Sequence, residues 1–124
     1  DPDAVMVQFA LNDLFVGVDP HRFKNTVQAI VSQIRDDSGA EILLVTSVPI
    51  AEKRLNRMAG EFYGALEEIG SDAGIPVARV HTRWDEHIAR GVSRHTLVQA
   101  DGVHPTSEGY RIMAEAVMET LEQP

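Results

Sequence analysis

The stretch VMVQFALNDLFVGVDPHRFKNTVQAIVSQIRDDSGAEILLVT, residues 5–46, decides the fold. Its opening, Val5-Met6-Val7-Gln8-Phe9-Ala10, is a short, nearly continuous apolar run that ends at the polar pair Asn12-Asp13. A run of that kind predicts a strand buried on both faces. Asp19-Pro20 then supplies an N-cap followed by proline at the first helical position, where a missing N–H costs nothing. From there Phe23, Val27, Ile30, Val31 and Ile34 fall at helical spacing until Gly39. Ile42-Leu43-Leu44-Val45-Thr46 predicts a second buried strand, which stops at Ser47-Val48-Pro49 because proline cannot extend the ladder. Strand, amphipathic helix and strand in this order imply parallel strands joined by a crossover, hence an α/β layered fold.

Working outward, a second helix places Leu55, Ala59, Phe62, Leu66 and Ile69 on one face and closes near Gly74. Pro76-Val77-Ala78-Arg79-Val80 predicts a third strand, Trp84 to Ile88 a short helical turn, and the chain is then irregular through Gly102. Thr106 caps a last helix on which Tyr110, Met113, Ala114, Val117, Met118 and Leu121 form a stripe. Residues 1–124 read as one domain without a linker or repeat. A doubly wound sheet usually has about five or six strands, and only three are visible here, the first beginning almost at residue 1. The expectation is the C-terminal part of a larger domain.

The 124 residues carry 11 Lys+Arg and 19 Asp+Glu, a net charge of −8, and are 44% hydrophobic. That apolar fraction sustains a core and excludes the disordered class. An acidic surface repels phosphate backbones and anionic lipid heads, which argues against nucleic-acid and membrane-surface partners. Without cysteine there is no disulfide, thiolate nucleophile or thiolate zinc site, and the compartment stays open. No apolar run approaches the roughly 20 residues of a membrane span.

In open α/β sheets the ligand crevice lies at the carboxyl ends of the strands. After the first strand stands Asn12, whose side-chain N–H groups can stabilise a developing oxyanion; the bland alternative is an Asx turn made by Asn12 and Asp13. Before the last helix stands Asp101-Gly102-Val103-His104-Pro105. Asp101 can accept the Nδ1 proton of His104, leaving Nε2 free as a base, and Pro105 with the Thr106 cap holds His104 against a helix start. The alternative is a structural Asp-Gly turn with a surface histidine.

Asn12-Asp13, Asp101-Gly102-Val103-His104-Pro105 and Gly109-Tyr110 together resemble the SGNH, or GDSL-type, hydrolases, which are esterases and lipases. The resemblance implies a three-layer α/β/α, flavodoxin-like fold with a parallel sheet, here incomplete. It implies Asn12 as a side-chain oxyanion donor, His104 as general base, Asp101 as its orienting carboxylate and Asp13 as a structural hydrogen-bonding residue. Ala10 stands where that family usually has glycine. The family's Gly-Asp-Ser nucleophile block and its second-block glycine are not in this chain. The implied partners are therefore a small ester or acylated substrate and an upstream segment, or complementing chain, that brings the nucleophile; no cofactor is implied. Ser47 follows the second strand but lacks the tight strand-to-helix turn of a nucleophile. The rival reading is a noncatalytic binding module of the same fold.

Two further features carry expectations. Trp84 either lines the substrate side of the crevice or packs beneath the irregular loop. His81, Asp85, Glu86 and His87 lie close in sequence, but they lack a His-His pair on one helical face, so they read as a solvated polar segment rather than a metal site.

Overall fold

The computed structural model describes residues 1–123. Strands β1 (Ala4–Val7), β2 (Glu41–Val45) and β3 (Val77–Ala78) are parallel and lie in that order in one sheet. Among the described residues five helices accompany them: α1 (Leu11–Phe15), α2 (Pro20–Asp37), α3 (Lys53–Ala73), α4 (Val80–Ala89) and α5 (Ser107–Glu122). A single 3₁₀ turn covers Arg94–Thr96.

Side chains alternate across a strand, so the sheet has two separate cores. Val7, Ile42 and Leu44 face α2 and α3, where Phe23, Val27, Phe62, Leu66 and Ile69 close over them. Phe23 and Phe62 meet edge to face with ring centroids 5.0 Å apart, tying the two helices together. Leu43, Val45 and Ala78 face the other way, onto Val80 and Trp84 of α4 and Ile112 and Ala116 of α5. This is the expected three-layer α/β/α arrangement.

Local chemistry sets the helix ends. Asp19 accepts hydrogen bonds from the N–H groups of His21 and Arg22, and Glu52 does the same for Arg54 and Leu55. Gly74 ends α3 at φ 65°, a conformation that glycine adopts without strain.

Four expectations are revised. The first strand was expected to be buried on both faces, but Met6 is 63% exposed although its register partner Leu43 is only 4% exposed. No helix among the described residues lies over β1 on that face. The third strand shrinks from 76–80 to Val77–Ala78 because the backbone already turns into α4 at Val80, and the anticipated turn at 84–88 is the second half of that helix. The short helix α1 carries Asn12 and Asp13 in place of the Asx turn that stood as the bland alternative for them. Finally, α5 buries Gly109, Ile112 and Ala116 rather than the larger stripe, leaving Tyr110, Met118 and Leu121 exposed. Counting apolar residues selects the bulkier face of this helix, whereas contact is made where small residues admit close neighbours.

Candidate active site

The carboxyl end of β1 runs through Gln8 and Phe9 into Ala10, which has φ 154° and ψ −54° and is the one non-glycine residue with positive φ among those described. It is held there from two sides. Its carbonyl accepts the Leu14 N–H at 2.9 Å to start α1, and its side chain is buried in the α2-facing core. Asn12 follows in the first turn of α1, exposed, with its side-chain amide unbonded among the described residues. Its N–H groups are therefore available to a ligand. The Asp13 side chain is half-buried and borders the same cleft as Asn12.

The 101–105 loop is built from short-range bonds. One Asp101 oxygen accepts the backbone N–H groups of Val103 and His104, each at 2.9 Å. The other meets His104 Nδ1 at 2.5 Å. The two backbone N–H donors, with the imidazole beside them, hold the Asp101 carboxyl at about 2, well below the usual carboxylate range. Gly102, at φ 71°, makes the turn between them. The base of the loop is zipped: Gln99 donates its N–H to His104 O at 2.8 Å and its side-chain amide to Pro105 O at 3.0 Å. Thr106 donates its N–H to Leu97 O at 2.9 Å, and its hydroxyl accepts the Gly109 N–H at the start of α5. His104 is thus a solvent-facing imidazole on a stiff mount, with Nδ1 occupied and Nε2 outward.

Asn12 and His104 line one cleft of about 340 Å³, together with Gln8, Phe9, Ser47 and Tyr110. Residues 92 positions apart are brought to one opening at the sheet's carboxyl edge. Gln8 and Tyr110 were not anticipated as lining residues; Gln8 is marked in the sequence only by its place near a strand end, and Tyr110 by the Gly109-Tyr110 pair at a helix start. Ser47 lies on an extended segment well before α3 begins at Lys53, so no strand-to-helix elbow presents it.

Trp84 is corrected as a substrate-binding residue. It is fully buried and packs beneath the 97–105 loop against the first turn of α5, where a Cβ on Gly109 would lie 2.5 Å from its ring. Placed after a two-residue strand, it already belongs to the core-facing side of α4. It supports the floor of the His104 loop rather than the cleft.

His81 and His87 are likewise not merely solvated. His81 Nδ1 meets the buried Thr46 hydroxyl at 2.8 Å, its ring lies on Tyr63 with centroids 4.8 Å apart, and burial pushes its imidazole below the ordinary histidine range. His87 Nε2 meets Glu115 of α5 at 2.9 Å. Among the described residues no three His, Asp or Glu side chains converge tightly enough to hold a metal ion. A larger cleft of about 510 Å³ opens at the free edge of β3, but its Arg79, Arg83, Glu67, Glu86 and Glu119 pair with one another.

The sequence profile of the GDSL-like Lipase/Acylhydrolase family matches residues 1–112. No curated protein sequence matches significantly. Among solved structures, an acetylxylan esterase from Geobacillus stearothermophilus superposes with a TM-score of 0.85 at 18% identity, covering 99% of this chain and 61% of its own. An alpha/beta hydrolase from the metagenome of Lake Arreo, Spain, superposes with a TM-score of 0.83 at 16% identity, covering 96% and 59%. The chain thus spans about 60% of the length of these structures. Catalytic mutants of the Geobacillus esterase replace a serine, an aspartate and a histidine, the last two three positions apart.

Proposed function

Because this chain belongs to the GDSL-like lipase/acylhydrolase family, we propose that it forms the base and oxyanion side of an ester-hydrolysing site whose nucleophilic serine comes from a segment upstream of Asp1. His104 Nε2 takes the proton of that serine as its oxygen attacks the acyl carbon, while Asp101 keeps the proton on Nδ1 and stabilises the imidazolium. The Asn12 amide donates to the oxyanion of the tetrahedral intermediate, an interaction typically worth about 3 to 4 kcal/mol in acyl transfer. Collapse expels the alcohol, which receives the proton from His104. Water, deprotonated by the same imidazole, then releases the acid and restores the serine.

The observation that carries this reading is the Asp101–His104 pair, bonded at 2.5 Å, facing Asn12 across one cleft. The Asp-x-x-His spacing matches that of the mutated aspartate and histidine in the Geobacillus enzyme. In the polypeptide that includes the upstream segment, His104→Ala lowers kcat on a short activated ester by about 10³-fold or more. Near-normal turnover of that variant would end the assignment. The 124-residue chain alone hydrolyses no ester; burst acylation of it would show that the nucleophile lies within these residues.

A further inference from the structure

One wall of the cleft that holds Asn12 and His104 is the chain leaving β2, at Ser47 and Val48. It has little ladder to hold it. The strand registers end at Val7–Leu44 and Val45–Ala78, and past them the Thr46 N–H reaches Ala78 O at 3.0 Å. Polar groups from behind stand in for a neighbouring strand. Tyr63 of α3, 2% exposed, donates its hydroxyl to Val48 O at 2.7 Å, and the Ser47 hydroxyl sits beside the same phenol oxygen. His81 of α4 meets the fully buried Thr46 hydroxyl through Nδ1 at 2.8 Å, and its backbone N–H donates to that oxygen at 3.4 Å. The Tyr63 and His81 rings lie against each other with centroids 4.8 Å apart. From the cleft side, the Gln8 amide donates to Thr46 O at 3.4 Å. A phenol and an imidazole in this place cost desolvation that an apolar side chain would not. What they supply is direction, because satisfied hydrogen bonds fix a backbone segment in one position where apolar contact lets it slide. Burial pushes the Tyr63 hydroxyl up, so it stays protonated and donating. His81 Nε2 lies 3.4 Å from Glu67 Oε1, which favours the proton on Nε2 and leaves Nδ1 to accept from Thr46. The charged groups around that imidazole are Glu67 of α3, Arg79 just before α4 and Asp85 within it.

We propose that His81 and Tyr63 are positioning residues of the ester-hydrolysing site, acting through Thr46, Ser47 and Val48, and that the wall they hold binds substrate without taking part in bond making. This rests on the proposed function for what the cleft binds; how the wall is held does not depend on it. The bonds of His81 and Tyr63 run to the wall and not to His104, Asp101 or Asn12, so the proton transfers proceed without them. Their loss lets the wall shift and weakens binding of ground state and transition state alike, which raises KM and spares kcat.

The test uses Tyr63→Phe, which keeps the ring and deletes the donor, and His81→Asn beside His81→Ala, because asparagine can still bond Thr46 and alanine cannot. In amide NMR spectra of the 124-residue chain, Tyr63→Phe and His81→Ala move the Ser47, Val48 and Gln8 signals, His81→Asn moves them less, and the Asp101 to Val103 signals stay in place. In the polypeptide used for the His104→Ala kinetics, Tyr63→Phe and His81→Ala raise KM for a short activated ester about 2- to 10-fold, the span expected of one hydrogen bond, and leave kcat within about 2-fold. His81→Asn restores KM toward the parent value. Unmoved Ser47 and Val48 signals would overturn the proposal. So would a fall in kcat at unchanged KM, or a His81→Asn variant no better than His81→Ala, the result of a merely space-filling role. If the polypeptide with His104 intact hydrolyses no ester, it is the hydrolase reading that fails, and the spectra still decide whether His81 and Tyr63 hold the wall.

Discussion

Replacing Gly109 by alanine puts one methyl group into the tightest point of the structure. A Cβ there would lie 2.3 Å from the Leu97 carbonyl oxygen, 2.5 Å from the Trp84 ring and 3.0 Å from Pro105 Cβ. A carbon–oxygen contact relaxes to about 3.3 Å, so loop and helix must part by about 1 Å. None of the three neighbours can yield cheaply: one is the Leu97 backbone carbonyl, Trp84 is fully buried and Pro105 is a buried, rigid ring. Overpacking of this kind costs about 1–3 kcal/mol, against which alanine regains up to about 1 kcal/mol of helix propensity, less in a first turn. The net expectation is a loss of about 1–2 kcal/mol, read as a fall of about 4–8 °C in the melting temperature of the 124-residue chain. The same displacement moves the mount of His104, and a misplacement of about 1 Å costs on the order of 100-fold in rate, so the longer polypeptide stays folded but loses turnover. If Gly109→Ala melts at the parent temperature or above, as propensity alone would give, the close approach of Trp84 and Leu97 to α5 is not what positions the loop.

Ala10→Gly relieves a backbone conformation worth on the order of 1–3 kcal/mol of strain. It forfeits a buried methyl worth about 0.8 kcal/mol and adds about 0.5–1 kcal/mol of unfolded-chain entropy. Urea unfolding should show anything from a loss of about 0.8 kcal/mol to a gain of about 1.7 kcal/mol, and a loss above about 1 kcal/mol would mean that Ala10 is unstrained. The Asp101 carboxyl, followed by carbon NMR, titrates near 2, so the ordering it confers on the loop is complete above the usual aspartate range and disappears as pH falls through about 2; a midpoint near 3.8, the ordinary value, would refute the three-donor geometry. Because burial lowers the His81 pKa, the unfolded chain binds that proton more readily, and stability declines as pH falls below about 6.5. His81→Asn, which can still bond Thr46, should flatten part of that decline in urea titrations run from pH 7 to pH 5; an unchanged slope would remove His81 as its source.

Much of this molecule is legible without its tertiary structure because the forces involved act over a few residues. Asp19-Pro20 starts α2, Gly74 stops α3 and the apolar run at 42–46 makes β2, each through local backbone chemistry. The Asp101–His104 bond belongs to the same class, since residues three apart close a turn on their own amides. What the sequence could not supply is every statement about which surfaces meet. Trp84 was open between cleft and core until Gly109 admitted its ring, and the same contact rotated the buried face of α5 away from its bulkiest residues. β1 carried the pattern of a fully buried strand, yet burial is a property of two surfaces, and one face of β1 has no partner among the described residues. The meeting of Asn12 with His104 is likewise tertiary: each is placed by its own strand end or helix start, and only the parallel sheet sets those two ends side by side.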